Sequence, residues 1–558
     1  MSAGSELESS PPASDYESLD SFYIDDVDDD VVAGVWNLLV DPFADARPHP
    51  LPEFTGIPGL NPGHDDLPNF TACVDMFLTD KLLTPVVQWT NRRAECYFAQ
   101  NLTKNGKIHG LKWRSLDLPE LRKFLAYVLN MGLQRKPEIR LYWLQSPLML
   151  TPWYKDTGMS HDRFLSILKF LRFADPRNLM ANDRLKRIRP FLAEVQSIFK
   201  NNYQPNREIC VDESLVLYKG RLLFKQYIKS KRARFGVKIF SACSSEGYMY
   251  NFEVYSGKGD QIFPTPADGD DLSMSERIVT HLVKDLLDMG YSVYTDNWYT
   301  SARLAEYLLH RDTLVTGTCR KDRGIPPLLQ QQTLNQGQCV FARKDNLLAV
   351  KYQDKREVHL ISTEHNAGFQ ERTRYKSSGS SQHLMQPRVI QQYSQYMQGV
   401  DKTDQLMHSY DCTRKSYCWF KKLGLHFIQR SLLNAHFVFK ESTGSDMTFL
   451  TFLIHTINYL SAGETDVIRR LNVNPMEHSL ASRQQAPVRR VGRPARRPTV
   501  SAVHSLETFP STATRARPQR RCVVCLARGI RKDSRYYCSS CPDKPALCIS
   551  CFGKYSHQ

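Results

Sequence analysis

The sequence predicts a multidomain α+β protein: an N-terminal helical domain, an α/β core interrupted by a β-rich insertion, and a small cysteine-rich module at the C-terminal end. Three observations predict it. Apolar residues keep a helical spacing as far as about Tyr203, then switch at Arg207 to short alternating runs of the strand type. Six of the 14 cysteines fall in the last 40 residues, as CxxC pairs. The 558 residues also exceed what one hydrophobic core supports, so several folded units share the chain.

Residues 1–66 read as an acidic disordered arm that turns Pro- and Gly-rich (LPEFTGIPGLNPG) and keeps no period. Over 67–205, the segments VDMFLTDKLLTPVVQW, LPELRKFLAYVLNMGL, SHDRFLSILKFLRFA and IRPFLAEVQSIF each carry an apolar stripe at helical spacing. Arg122, Lys123, Lys169 and Arg172 fall on the outer faces of these helices, as solvated charges or as phosphate contacts. From 206 to 319 come three strands (EICVDESLVLYKG, RFGVKIFSAC, YMYNFEVYSG), a helix at about 274–289, the strand YSVYTD, a helix from about Ser301 to His310, and the strand TLVTGTC. That is the order of an RNase H-like sheet. Residues 320–397 form the insertion, with the alternating strands QCVFARK, LLAVKYQD and EVHLIST. Helical spacing returns over 398–475, a Pro-, Arg- and Ser-rich linker covers 476–520, and the cysteine module occupies 521–558.

Charge narrows the function. Residues 1–50 hold 12 acidic residues and one basic residue, leaving 73 basic against 46 acidic, a formal +27, on the rest of the chain. So basic a body suggests a polyanionic partner, nucleic acid above all, although solubility alone is an alternative account. The N-terminus has neither a basic leader nor an apolar core, so a secretory signal is not expected. The run VVAGVWNLLV is far shorter than the ~20 residues that cross a bilayer, and no membrane partner is expected. Scattered single cysteines with one terminal cluster fit a reducing compartment and a metal site better than a disulfide framework.

Four aspartates stand out. Asp212 interrupts an otherwise apolar strand, where a carboxylate costs several kcal/mol unless it meets water or a cation. Asp296 ends the strand YSVYTD, a place that a turn-forming Asp also explains. Asp401 and Asp404, in GVDKTDQLM, lie three apart at a helix start, where capping and the helix dipole are sufficient reasons for them. Taken together they say more. In a sheet of this order the first and fourth strands are neighbours, so Asp212 and Asp296 can converge on a helix that carries Asp401 and Asp404. Converging carboxylates suit hard ions such as Mg²⁺, and two ions about 4 Å apart activate an attacking oxygen and stabilise a leaving one in phosphodiester chemistry.

The strings ICVDESLVLYKGR, RFGVKIF, TDNWYTS, VTGTCRKDRGIP, QGVDKTDQLM and RKSYCWFKKL resemble the piggyBac transposase family in order and in approximate spacing, over roughly residues 70–460 and again in the terminal cysteine cluster. The resemblance implies that Asp212, Asp296 and Asp401 are the catalytic, Mg²⁺-binding aspartates and that Asp404 is an additional acidic residue of the same site. It also implies an RNase H-like core interrupted before its last acidic helix, a helical DNA-binding or dimerisation domain at 67–205, a homodimer acting on double-stranded transposon ends at TTAA sites through a hairpin intermediate, and a nuclear location. Trp419, which matches the tryptophan of the family's RKxxxW segment, is implied as a contact to distorted DNA, with core packing as its alternative.

The terminal module reads Cys522-x2-Cys525-x12-Cys538-x2-Cys541-x6-Cys548-x2-Cys551-x5-His557, a spacing that closes thiolate tetrahedra around Zn²⁺. Pairs alternating between two ions give a cross-brace like that of RING and PHD fingers. Such a brace needs eight ligands and seven are present, so one or two ions are expected, with Asp543 or water completing the second site. In the linker, Arg490, Arg493, Arg496 and Arg497 flank a GRP tripeptide that suits a narrow A·T minor groove; a nuclear import signal uses the same arginines. A domesticated chromatin protein that binds DNA without cutting is the competing reading, and a ubiquitin ligase or histone reader rests on the cysteines alone.

Overall fold

The computed structural model describes residues 35–61, 69–100, 113–175, 182–229, 231, 234–257, 263–264, 266, 272–375, 381–462, 506–510, 518–552 and 555. The acidic stretch 1–34, nearly all of the linker including its four arginines, and His557 lie outside the described residues. The chain divides into two units, residues 1–474 and 475–558.

In the first unit, helices α1 (Phe70–Phe77), α2 (Asp80–Gln100), α3 (Leu118–Leu133), α4 (Pro152–Asp156), α5 (His161–Phe170) and α6 (Arg189–Asn202) occupy the region read as helical. Short polar side chains start them: Asn69, Asp117 and Ser160 each accept a backbone N–H of the first turn. Nearly all of α3 from Leu121 to Gly132 is buried. The cause is that it packs against α2 and also against a helix from the far end of the unit, α13 (Phe449–Ala462).

The sheet is built from β1 (Asn37–Leu38), β4 (Glu208–Leu217), β5 (Gln226–Tyr227), β6 (Phe235–Ser244), β7 (Met249–Val254), β8 (Ser292–Thr295), β9 (Leu314–Thr318), β10 (Cys339–Lys344), β11 (Leu347–Gln353) and β12 (Glu357–Ser362). A separate two-stranded ribbon joins β2 (Gly59–Leu60) to β3 (Tyr203–Gln204), and a second joins β13 (Phe369–Tyr375) to β14 (Ser381–Pro387). The central strands run β7-β6-β4-β8-β9, with β7-β6-β4 antiparallel and β4-β8-β9 parallel. The two parallel steps use crossover helices, α7 (Met274–Val283) and α8 (Ala302–His310), as parallel pairing requires. These helices are tied by the fully buried Glu276, which takes the backbone N–H of Ser273 at 2.6 Å and lies 3.3 Å from Arg303.

The strands of the insertion do not form a sheet of their own. β12 pairs antiparallel with β9, and β11 and β10 continue outward, so the insertion widens the central sheet. Residues 35–61 are also part of the body rather than of a free arm: β1 pairs with β10, and buried Asp45 is forked by the Arg343 guanidinium. The apolar side chains of Trp36, Leu39, Phe54 and Leu60, set among the prolines of this stretch, explain the docking. After the short α9 (Pro327–Gln330) and α10 (Arg388–Tyr396), the chain enters α11 (Gly399–Ser409) and the long buried α12 (Trp419–Thr443).

Candidate active site

Asp212 and Asp296 meet because of sheet register. The parallel ladder pairs Val211 with Thr295 and stops there, so the next residue on each strand is an aspartate. The Asp212 carboxylate accepts the N–H of Glu213 at 2.8 Å, and that of Asp296 accepts the N–H of Trp298 at 2.9 Å. Asp212, Glu213 and Asp296 each present an oxygen within 4.8 Å of the others, a spacing one cation can bridge. Burial and then the neighbouring Glu213 push the Asp212 carboxyl up to about 8 and raise Asp296 as well. The site without a cation is therefore under electrostatic stress.

Glu213 is a member of this cluster that the sequence reading missed. Its position beside Asp212 offered no signal, since consecutive strand residues point to opposite faces. The Tyr299 hydroxyl donates to it at 3.4 Å. On the same side, buried Lys238 stacks over Phe240 and Trp298, 4.6 and 4.7 Å from the ring centres, and burial lowers its pKa.

Helix α11 brings the other two aspartates. It lies on β4 and β6 so closely that a Cβ on Gly399 would stand 2.3 Å from the Ser244 carbonyl and 2.7 Å from Cys210 Sγ. Glycine there fixes the height of the helix over the sheet. Asp401, 61 % exposed, sits 3.8 Å from Lys231 Nζ. Asp404 instead accepts from Arg430 of α12 at 2.9 Å. Arg430 is wholly buried, and its Nε and other terminal nitrogen have no hydrogen-bond partner among the described residues, so Asp404 is its neutralising charge. Burial nonetheless outweighs Arg430 and raises Asp404. Of the four aspartates, two thus converge directly, a third faces them across Lys231, and the fourth is tied to an arginine.

Comparison with known proteins decides the family. The model of the family described as Transposase IS4 matches residues 72–436, well over half the chain. Two human proteins, PiggyBac transposable element-derived proteins 2 and 3, are 26% and 25% identical over 65% and 68% of this chain. This chain belongs to the piggyBac-type transposases. The matched region spans only 60% and 63% of those two relatives. Among solved structures, the cryo-EM structure of a piggyBac transposase synaptic complex with hairpin DNA shares the fold, with a TM-score of 0.62 and 21% identity over 88% of this chain and 98% of that one.

Trp419, at the start of α12, is half-buried and packs edge-on against Phe224 at 5.2 Å. Tyr417 beside it is 88% exposed. Around the next residue, Phe420, cations gather: Arg172 and Arg187 stand 5.2 and 5.6 Å from its ring, and Lys421 donates to the Leu168 and Lys169 carbonyls. Burial first, then the neighbouring Arg93, lowers Arg172 to about 10. Lys421 falls to about 8 by burial and by Arg172 and Arg93. This patch suits a polyanion.

In the second unit, β15 (Leu506–Thr508) pairs with β18 (Tyr536–Cys538) and β16 (Arg520–Arg521) with β17 (Asp533–Ser534), flanked by α14 (Val523–Ala527) and α15 (Ile549–Phe552). Cys522, Cys525, Cys548 and Cys551 are buried with sulfurs inside 4.8 Å of one another. The first and third CxxC pairs therefore meet, as an alternating brace requires. Four reduced thiols on two such turns fit a tetrahedral soft-ligand site. Cys538 and Cys541 are buried in the same small core but are not part of that group of four sulfurs, and their expected partner His557 is not among the described residues. No described helix is long and apolar enough to cross a membrane.

Proposed function

We propose that the protein is a nuclear cut-and-paste DNA transposase that cleaves and joins DNA strands at TTAA with divalent metal. The observation that carries this is the convergence of Asp212 and Asp296 at the end of the β4–β8 ladder, with α11, which bears Asp401, packed on β4, inside the region that matches the transposase family. The central β7-β6-β4-β8-β9 order supports reading the core as RNase H-like. Asp212 and Asp296 would hold Mg²⁺ from the sheet side, with Glu213 beside them, and Asp401 from α11. Asp404 would support the site through Arg430 and reach the metal only if that pair opens. Bound divalent ions supply the Lewis acidity and charge neutralisation that phosphodiester displacement needs.

The remaining residues have binding roles in this reading. Arg172, Arg187 and Lys421 would grip the backbone, and Trp419 with Tyr417 would stack on bases unpaired near the cut. The linker arginines Arg490, Arg493, Arg496 and Arg497 would track an A·T minor groove. The four thiols at Cys522, Cys525, Cys548 and Cys551 would bind one structural Zn²⁺, and Cys538 with Cys541 a second. We expect a homodimer, since two transposon ends must be held together.

The test is incubation of the full chain with Mg²⁺ and an end substrate flanked by TTAA. A DNA hairpin on a denaturing gel, absent in EDTA, is the expected result. A covalent protein-DNA adduct, or blunt breaks without hairpins, would overturn the mechanism. Binding without any cleavage would instead support a domesticated DNA-binding protein. That second reading draws on the pairing of Asp404 with Arg430 and of Asp401 with Lys231, which neutralises two of the four acids without metal.

A further inference from the structure

Lys231 stands on the connection between β5 and β6, far in sequence from α11, and its ammonium lies among the acids. Nζ donates to the Glu213 carbonyl at 2.9 Å and approaches Asp401 Oδ1 at 3.8 Å. Burial alone would depress this lysine, but Asp212, Glu213, Asp401 and Asp404 together hold it above the ordinary range. It lines a groove of about 520 Å³ together with Asp401 and Asp404.

Besides Lys238, which is buried against Phe240 and Trp298, two cations reach the acids of this site, and they differ in how they are held. Arg430 is wholly enclosed and fixed to Asp404. Lys231 is 25 % exposed and is held by one carbonyl and one long ion pair on a flexible stem. The Lys231 ammonium stands among the carboxylates that would hold a divalent ion, and like charges a few ångströms apart repel strongly in a half-buried site.

We propose that Lys231 is the built-in counter-cation of the aspartate site: it neutralises the carboxylates until a divalent ion displaces it, and so sets how much metal the protein needs. The proposal rests on the metal-dependent reading above. The exchange breaks and makes no covalent bond; the ammonium keeps its proton and swings toward the open groove.

The test is Mn²⁺ titration of the zinc-loaded full chain without DNA, because thiolates disfavour this hard ion. Asp212→Asn defines the binding that belongs to the aspartate site. Lys231→Met is expected to bind Mn²⁺ about tenfold more tightly at that site, the size of one unit charge a few ångströms away in partly aqueous surroundings. It should also melt below wild type in EDTA, with the gap closing in excess Mg²⁺. Lys231→Arg, which pairs carboxylates more firmly, should bind Mn²⁺ several-fold more weakly, and it decides the matter if the methionine variant does not fold. Asp212-dependent affinity that is equal in wild type and variant overturns the role of Lys231 while leaving the metal reading intact. No Asp212-dependent binding in any protein overturns both.

Discussion

The aspartate site and the cysteine cluster use opposite electrostatics. In the module, Cys525 Sγ lies 3.8 Å from that of Cys548 and 3.6 Å from that of Cys551. Neutral thiols tolerate this closeness, and they lose their protons only when the metal arrives. Carboxylates give up their protons far more readily than thiols, so at the aspartates the structure interposes Lys231 and Arg430, and burial raises the pKa of Asp212, Asp296 and Asp404. One site is preformed because its ligands are uncharged; the other is held open by borrowed cations.

The sharpest break of this contrast is catalytic. Asp212→Asn, Asp296→Asn and Asp401→Asn should each lower strand cleavage at least about a thousandfold, the equivalent of several kcal/mol of transition-state stabilisation, with end binding nearly unchanged. Gel assays beside filter binding read both, and substantial cleavage by any one variant removes that residue from the site. Next in size is the module. Chelation should unfold residues 506–552, since so short a segment buries too little to fold without metal. Less than one zinc per chain by metal analysis would refute this.

A smaller effect separates Arg430 from Lys231. Arg430→Met leaves half-buried Asp404 without its partner and removes an enclosed guanidinium, which should cost about 2 kcal/mol by urea unfolding in EDTA, whereas Lys231→Met should cost less than about 1 kcal/mol because Asp401 remains exposed. Equal costs would erase the distinction between a fixed and a displaceable cation. The smallest effect is on pH. Asp212 binds its proton more tightly folded than unfolded, so the stability it contributes is complete below about pH 4 and is lost as pH rises through its folded value of about 8. In EDTA, Asp212→Asn should therefore exceed wild type in stability by about 1 kcal/mol near pH 8.5, discounted for its partial contact with water, and match it near pH 4. A gap independent of pH would show that the site is not strained.

Local features were the legible ones. The change of period at Arg207 and the strand-helix-strand order gave the central sheet, and the CxxC spacing gave the thiol cluster, because each is written in consecutive residues. Asp212 and Asp296 could be paired on paper because parallel neighbours share a register. Lys231 and Arg430 could not be found this way: each reaches its partner through a tertiary contact, 26 residues away for Arg430 and far longer for Lys231. Whether the insertion strands stood alone or joined β9 was equally hidden, since alternation fixes a strand's faces and not its neighbour.

The widened sheet also bears on how the protein avoids edge-to-edge aggregation. Each added strand moves the hydrogen-bonding rim outward, and an open rim recruits foreign chains. Here one rim is shared by the two-residue β5 and by β7, which is buried along nearly its whole length, against α6 and α7. The opposite rim, β10, is covered over Phe341–Arg343 by residues 37–39, held down by the Asp45–Arg343 fork. The short segment ahead of the helices thus acts as a cover strip, and trimming the chain to residue 48 should convert a monodisperse solution into one that scatters light.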